Sequence, residues 1–293
     1  MVDVVGWLEE SRQLIEAWIN DDVAGMDPQA GSVEEAMAYS LQAGGKRLRP
    51  QLVLAAADYM EVAWDQVKPA ALAVEYLHTY SLIHDDLPAM DNDDLRRGKP
   101  TSHKMFGDAM AILAGDALLT EAFVKLSTLA DRGFSSAGAL AAVGRLASSA
   151  GREGLVRGQV QDLAAERRDI SIEALEAIHR KKTGALFEAC LAIPPLLRED
   201  DAAAGALSRF GQHFGLAFQI VDDILNVIGD SAKLGKATGT DAGLGKATYP
   251  RLIGVEAARQ LVMEHVGEAK RCLDAERAGI LYGLLEFAVN RTW

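Results

Sequence analysis

Cysteine is nearly absent from this chain: two in 293 residues, Cys190 and Cys272, at no metal-ligand spacing. That excludes a disulfide framework and a cysteine zinc site, and it fits a reducing, cytoplasmic setting. Both cysteines read as small buried apolar side chains. Aromatic residues make up only 6%, and no run of alternating residues reads as a strand, so β-rich folds are set aside. Basic residues are outnumbered, with 30 Lys and Arg against 42 Asp and Glu and a net charge of −12. A nucleic-acid partner calls for a basic surface, so nucleic acid is not expected. No uncharged apolar stretch is long enough to cross a membrane, and Met1–Trp7 lacks the basic start and apolar run of a signal peptide. No Ser/Gly/Pro linker and no fixed-period repeat divide the chain, which reads as a single domain over residues 1–293.

What remains is rich in Ala and Leu and 49% hydrophobic, the composition of a helical protein with an ample core. Ser32 and Glu35 form a capping-box pattern opening a helix that stops at Gly44–Gly45, and Pro50 suits the first turn of the next. Further helices are predicted over 67–87, ended or kinked by Pro88, and over 109–130. Another runs from a Ser171 cap to Ala192, ended by Pro194–Pro195. The most apolar long helix covers 203–228. Several of these helices are apolar nearly all round, as in the middle of one large bundle.

Two acidic clusters stand out against this background. The first holds Asp85, Asp86 and Asp91 around Pro88, where a short loop can return Asp91 towards Asp85. Asp93 and Asp94 read as solvated. The second holds Asp222 and Asp223 within an apolar helix, with Gln219 one turn earlier and Asn226 one turn later. Carboxylates in such surroundings are expensive unless compensated. Oxygen ligands without Cys point to Mg²⁺, with Mn²⁺ as a substitute.

Basic segments accompany both clusters. Arg96 and Arg97 directly follow the first and can grip phosphate oxygens bidentately. Gly44-Gly45-Lys46-Arg47-Leu48-Arg49 is a glycine turn with three cations, able to bring backbone N–H groups to an anion. His78 lies two turns before Asp85 on the same helix. Lys182, Thr183 and Gly184 sit inside a predicted helix that bends there or meets a ligand. Lys236 and Lys246 lie in a glycine-rich segment able to close over a bound group. Metals, cations and an apolar bundle together imply a substrate that is part diphosphate and part hydrocarbon.

In these segments the chain resembles the short-chain trans-polyprenyl diphosphate synthases, bacterial farnesyl diphosphate synthases most of all. The matches are GGKRLRP (Gly44–Pro50), DDLPAMDNDDLRRGKPTSH (Asp85–His103), AILAGDALL (Ala111–Leu119), KTG (Lys182–Gly184), FQIVDDILNVIGD (Phe218–Asp230) and LGKATGTDAGLGKATYP (Leu234–Pro250). The resemblance implies an all-α isoprenoid-synthase bundle around a deep central cavity, usually a homodimer. It implies Mg²⁺ held by Asp85, Asp91 and Asp86 on one side and by Asp222, with Asp223, on the other. It implies that Arg96, Lys182 and Lys236, with Lys246 nearby, contact the allylic diphosphate. Gly45, Lys46, Arg49, His78 and Arg97 then match the isopentenyl diphosphate site, and Thr183 and Gln219 are suited to stabilise a carbocation. The implied reaction condenses isopentenyl diphosphate with dimethylallyl or geranyl diphosphate, the released diphosphate taking the proton. Asn226 departs from the family, which usually has an aspartate there.

Tyr80, five residues before Asp85 and beside Ser81, is the expected chain-length position, with Tyr76 on the same face. An aromatic there goes with the farnesyl product in the resembling family. Geranylgeranyl diphosphate synthesis is the alternative. A non-catalytic subunit tends to lose the acid clusters, which are present here. A terpene cyclase has no use for a second diphosphate site.

Overall fold

The computed structural model describes residues 3–228 and 247–290. The described residues are mostly helical, with almost no strand. In chain order the helices are α1 (Val4–Gly25), α2 (Val33–Leu41), α3 (Leu48–Tyr59), α4 (Trp64–Asp85), α5 (Ser102–Phe106), α6 (Asp108–Ser127) and α7 (Ser136–Ala150). Then follow α8 (Leu155–Ala165), α9 (Ile172–His179), α10 (Ala185–Leu197), α11 (Asp201–Ile228), α12 (Tyr249–Ile253), α13 (Val255–Arg271) and α14 (Gly279–Val289). One exception to the helical rule is a hairpin, β1 (Leu95–Arg96) against β2 (Lys99–Pro100), which the sequence did not announce because each strand is two residues long.

The caps explain where helices begin. Ser32 Oγ accepts the Glu35 N–H, while the Glu35 carboxylate reaches back to the N–H of Gly31, one residue earlier than a capping box requires. Ser171 caps α9 in the same way through the Ala174 N–H. α4, α10 and α11 form the middle of the bundle. α4 packs along α6 and α3, and α10 lies between α3, α7 and α11. Their residues are buried nearly all round, from Val67 to Ile83 and from Leu186 to Leu197.

That burial overrides a local signal. Pro194 and Pro195 do not stop α10, which runs on to Leu197. Each proline withdraws one N–H from the helix ladder, a local loss that packing on three sides outweighs. Between α9 and α10 the predicted continuous helix widens into a single π turn, Arg180–Gly184, which holds Lys182 and Thr183. Cys190 is buried, but Cys272 is only partly so, its thiol donating to the Glu268 carbonyl at the end of α13.

Candidate active site

The first acidic loop returns as the spacing predicts. The Asp91 N–H donates to the Asp85 carbonyl at 2.9 Å, so a turn around Pro88 sets Asp91 beside Asp85. Burial pushes the Asp85 carboxyl up to about 6; Lys182 works against this and the like charge of Asp91 adds to it. Asp86 is buried and takes both Nε of Arg96 (2.7 and 2.8 Å) and its Nη2 (2.5 Å). Asp94 is exposed and pairs with Lys104 at 2.8 Å, whereas Asp93 is half-buried with Arg96 Nη2 at 3.5 Å.

The hairpin aims the two arginines apart. Arg97 and Gly98 form its turn with φ of 53° and 77°, a conformation that suits the twist of a two-residue hairpin. Arg96 therefore turns back to Asp86, and the Arg97 guanidinium donates to the Gly44 carbonyl. Gly45, at φ 129°, lies so close to this guanidinium that a Cβ there would sit 2.5 Å from Arg97 Cζ. The glycine turn and the hairpin thus meet face to face. A cavity between α2, α4 and the hairpin is lined by Tyr39, Thr79, Ile83, Arg96, Arg97 and Lys99.

The three cations of the glycine turn have different fates. Lys46 is exposed. Arg47 is buried, bound to Glu75 (2.6 Å), Glu16 (2.8 Å) and the Leu41 carbonyl (2.7 Å), so it holds α1, α2 and α4 together and is not available to an external anion. Arg49 reaches inward. Its Nη1 lies 3.1 Å from His78 Nε2, its Cζ lies 5.1 Å from the Phe187 ring centre, and its buried Nε has no partner among the described residues. Burial and four neighbouring arginines hold His78 well below the usual histidine range, so it stays neutral and accepts from Arg49. Burial also lowers Arg49 and Arg97. Cations depressed in this way, with an orphaned N–H, fit an anion.

The second cluster faces this group from α11. Asp222 and Asn226 share one half-buried face, and the charge of Asp222 acts on Arg49. Asp223 is buried and receives Gln219 Nε2 and the Tyr249 N–H, each at 3.1 Å. Gln219 Oε1 receives the Thr183 hydroxyl, also at 3.1 Å. The π turn therefore joins the two clusters, with Lys182 acting on Asp85 and Thr183 touching Gln219. Lys236 and Lys246 lie outside the described residues.

Sequence reasoning missed α8. Gln159 donates to the Asp85 carboxylate, and Asp162 binds Lys182 at 2.6 Å. The helix carries an apolar stripe at Val156, Val160 and Leu163, which reads as its buried side. The stripe is instead exposed, and the half-buried Gln159 and Asp162 face Asp85 and Lys182. Gly158 lets this side of α8 come close to the π turn, where a Cβ would collide with the Lys182 backbone. Tyr80 is buried with its ring edge-on to His84 at 5.6 Å, and Ser81 Oγ donates to the His78 carbonyl. Tyr76 differs from expectation. Its hydroxyl donates to Asp22, itself bound to Lys125, so Tyr76 anchors α4 to α1 and α6.

The residues present fit Mg²⁺. Among the described residues no three acidic, His or Cys side chains converge into a cage. Mg²⁺ characteristically uses one or two carboxylates with water and substrate phosphates, and the neighbouring carboxylates of Asp85 and Asp91, beside Lys182 and Arg96, have that chemistry.

The model of the polyprenyl synthetase family matches residues 31–278. The chain is 43% identical to the farnesyl diphosphate synthase of Geobacillus stearothermophilus, covering 96% of both chains. It is 46% identical to a chloroplastic geranylgeranyl pyrophosphate synthase of Catharanthus roseus, covering 88% of this chain and 74% of that one. Among solved structures, a geranyltransferase from Legionella pneumophila superposes with a TM-score of 0.86 at 32% identity, covering 99% of this chain and 98% of the other.

Proposed function

We propose that this chain, which belongs to the polyprenyl synthetase family, condenses isopentenyl diphosphate head-to-tail with dimethylallyl and then geranyl diphosphate to give farnesyl diphosphate. The observation that carries this reading is the group formed by Arg49, neutral His78 and Arg97, with an orphaned Arg49 N–H, opposite Asp222 and beside an apolar aromatic wall. That wall is built from Phe187, Phe214 and Phe218, whose rings stand 5.3–5.4 Å apart around Phe187. A diphosphate with a hydrocarbon tail satisfies both halves.

Asp85 and Asp91, flanked by Asp86, and Asp222 on the facing helix would hold Mg²⁺. When bound, Mg²⁺ neutralises charge developing on the departing diphosphate. The chain's own residues do the rest. Arg96 and Lys182, with Lys236, hold the allylic diphosphate in line. Gly45, Lys46, Arg49, His78 and Arg97 hold isopentenyl diphosphate against it, converting a bimolecular step into a positioned one. The Thr183 and Gln219 oxygens offer negative partial charge where the allylic carbon becomes cationic. The aromatic wall excludes water from that cation. The isopentenyl double bond attacks the cation, and the released diphosphate takes the proton.

The whole chain acts as one all-α unit, and two copies pair. α6 leaves Ile112, Leu113 and Val124 exposed along one side, a stripe suited to a second copy. No helix among the described residues is long and apolar enough to cross a membrane. A cytoplasmic enzyme fits this and the pair of unbridged cysteines.

Incubation of the purified protein with isopentenyl diphosphate, each allylic primer and Mg²⁺, followed by product chromatography, tests the reading. Farnesyl diphosphate as main product supports it, and chelation should stop turnover. Mainly geranylgeranyl diphosphate would move the assignment to the second reading, and no prenyl product would overturn it. Lys46→Ala and Arg97→Ala should each raise the isopentenyl diphosphate KM by roughly 10- to 100-fold, the loss of one charge-assisted contact, with much less change for the primer. A larger effect on the primer would reverse the two diphosphate sites. Asn226→Asp should lower the Mg²⁺ concentration for half-maximal rate or leave turnover unchanged, since it adds a carboxylate on the Asp222 face. A large loss with the helical signal intact would assign the amide a role of its own.

A further inference from the structure

We propose that Asp223 is a positioning residue that fixes the orientation of the Gln219 amide, and that it is not a ligand of the metal ions. The inference rests on the prenyl-transfer reading and assigns a separate task to the second carboxylate of the α11 pair. Asp222 and Asp223 are neighbours on a helix, about 100° apart around its axis. Asp222 stands on the half-buried face with Asn226, towards Arg49. Asp223 points into the protein and is 4% exposed.

Each oxygen of Asp223 has a donor. Oδ1 receives Gln219 Nε2 and Oδ2 receives the Tyr249 N–H at the first turn of α12, both at 3.1 Å. A carboxylate only accepts hydrogen bonds, so it selects the nitrogen end of the amide. Turning the amide over would set two acceptors against each other in a buried place, a costly arrangement. With Nε2 committed to Asp223, Oε1 must face the other way, and there it meets the Thr183 hydroxyl at 3.1 Å. The line Tyr249, Asp223, Gln219, Thr183 therefore decides which end of the amide is turned to the π turn. An amide oxygen there attracts developing positive charge; an amide N–H₂ would repel it.

Asp223→Asn separates the two roles. An Asn offers one acceptor for two donors, so the Gln219 amide is no longer held one way. We expect kcat to fall by roughly 10²-fold, the scale of a misaligned catalytic group, with KM for both diphosphates and the half-saturating Mg²⁺ concentration unchanged within about twofold. The Gln219→Leu variant should lose a similar factor, and adding Asp223→Asn to it should cost no more than about twofold further, because linked residues are not additive. Calorimetric binding of Mn²⁺ with inorganic pyrophosphate should match the native protein in Asp223→Asn and weaken in Asp222→Asn. If Asp223→Asn does not fold, Gln219→Leu alone still decides: native-like turnover would overturn the proposal. Weakened Mn²⁺–pyrophosphate binding in Asp223→Asn, or multiplied losses in the double variant, would also overturn it. A native protein that makes no prenyl product would overturn the prenyl-transfer reading as well, so the two failures are told apart by the native control.

Discussion

Asp85→Ala should lower kcat by about 10³-fold or more while the helical circular dichroism stays intact, and Asp222→Ala should do the same. The first residue is the stronger case. Its carboxyl is pushed up to about 6 mainly by burial, with Asp91 and Asp86 adding like charge and Lys182 and Arg96 opposing. The fold thus keeps an acid where its ionised form is disfavoured, which is the arrangement of a site completed by a cation. The sign for stability follows. The native state holds the Asp85 proton more tightly than the unfolded chain, so the metal-free protein loses stability as pH rises from the ordinary carboxylate range through about 6. Asp85→Asn should therefore raise the melting temperature of the metal-free protein above that pH while abolishing turnover. Near-normal turnover in both Asp85→Ala and Asp222→Ala would sink the two-cluster metal site. An Asp85→Asn protein that melts lower than the native one at neutral pH would show that its charge is already compensated by the chain.

Tyr80→Ala should shift the main product from farnesyl towards geranylgeranyl diphosphate or longer. Tyr80 lies on α4 five residues before Asp85, is 6% exposed, and has its hydroxyl pushed up to about 12 by burial, with Asp85 contributing. On the proposed reading the diphosphate is held at the acidic loop, so a growing tail would run along α4 away from Asp85. A ring about a turn and a half down the helix sets a floor. His84 braces that ring edge-on, and Tyr76 below is tied to Asp22, so the helix itself stays in place when Tyr80 is cut back. Truncating a buried aromatic to Ala leaves a void and costs several kcal/mol of stability, typically 3–5. Product length should be read at a temperature where the variant remains folded. Unchanged product length would assign the floor to another residue.

Much of this site is written locally, and those parts were legible. Ser32 and Ser171 announce their helices because a cap acts within three residues. The Pro88 loop was legible because a proline ends the helix and leaves a short segment able to return, which the Asp91 N–H closes on the Asp85 carbonyl. What escaped the sequence depends on distant partners. Nothing near Arg47 says that Glu75 and Glu16 will bury it, so it looked like its neighbours Lys46 and Arg49. The α10 prolines look like a stop until three packed helices outweigh them. α8 is the plainest case, since its apolar stripe points outward and its polar side serves Asp85 and Lys182. Amphipathic pattern assumes a dry interior, and it inverts where the interior is a polar site.

The wide turn at Arg180–Gly184 has a consequence in rotational bookkeeping. A π turn holds one residue more than the α-helix around it, and each residue of an α-helix is worth about 100° of rotation. Removing any one residue from the turn would let α9 and α10 close into a single regular helix. Every side chain of α9 would then be turned about a quarter circle or more relative to α10. Ser171, Leu175 and Ile178 could not all keep their places, and Lys182 and Thr183 would no longer present themselves together to Asp162 and Gln219. At this point the spacing of the chain matters more than its chemistry: a conservative substitution in the turn is a local change, whereas a single deletion misaligns a whole helix.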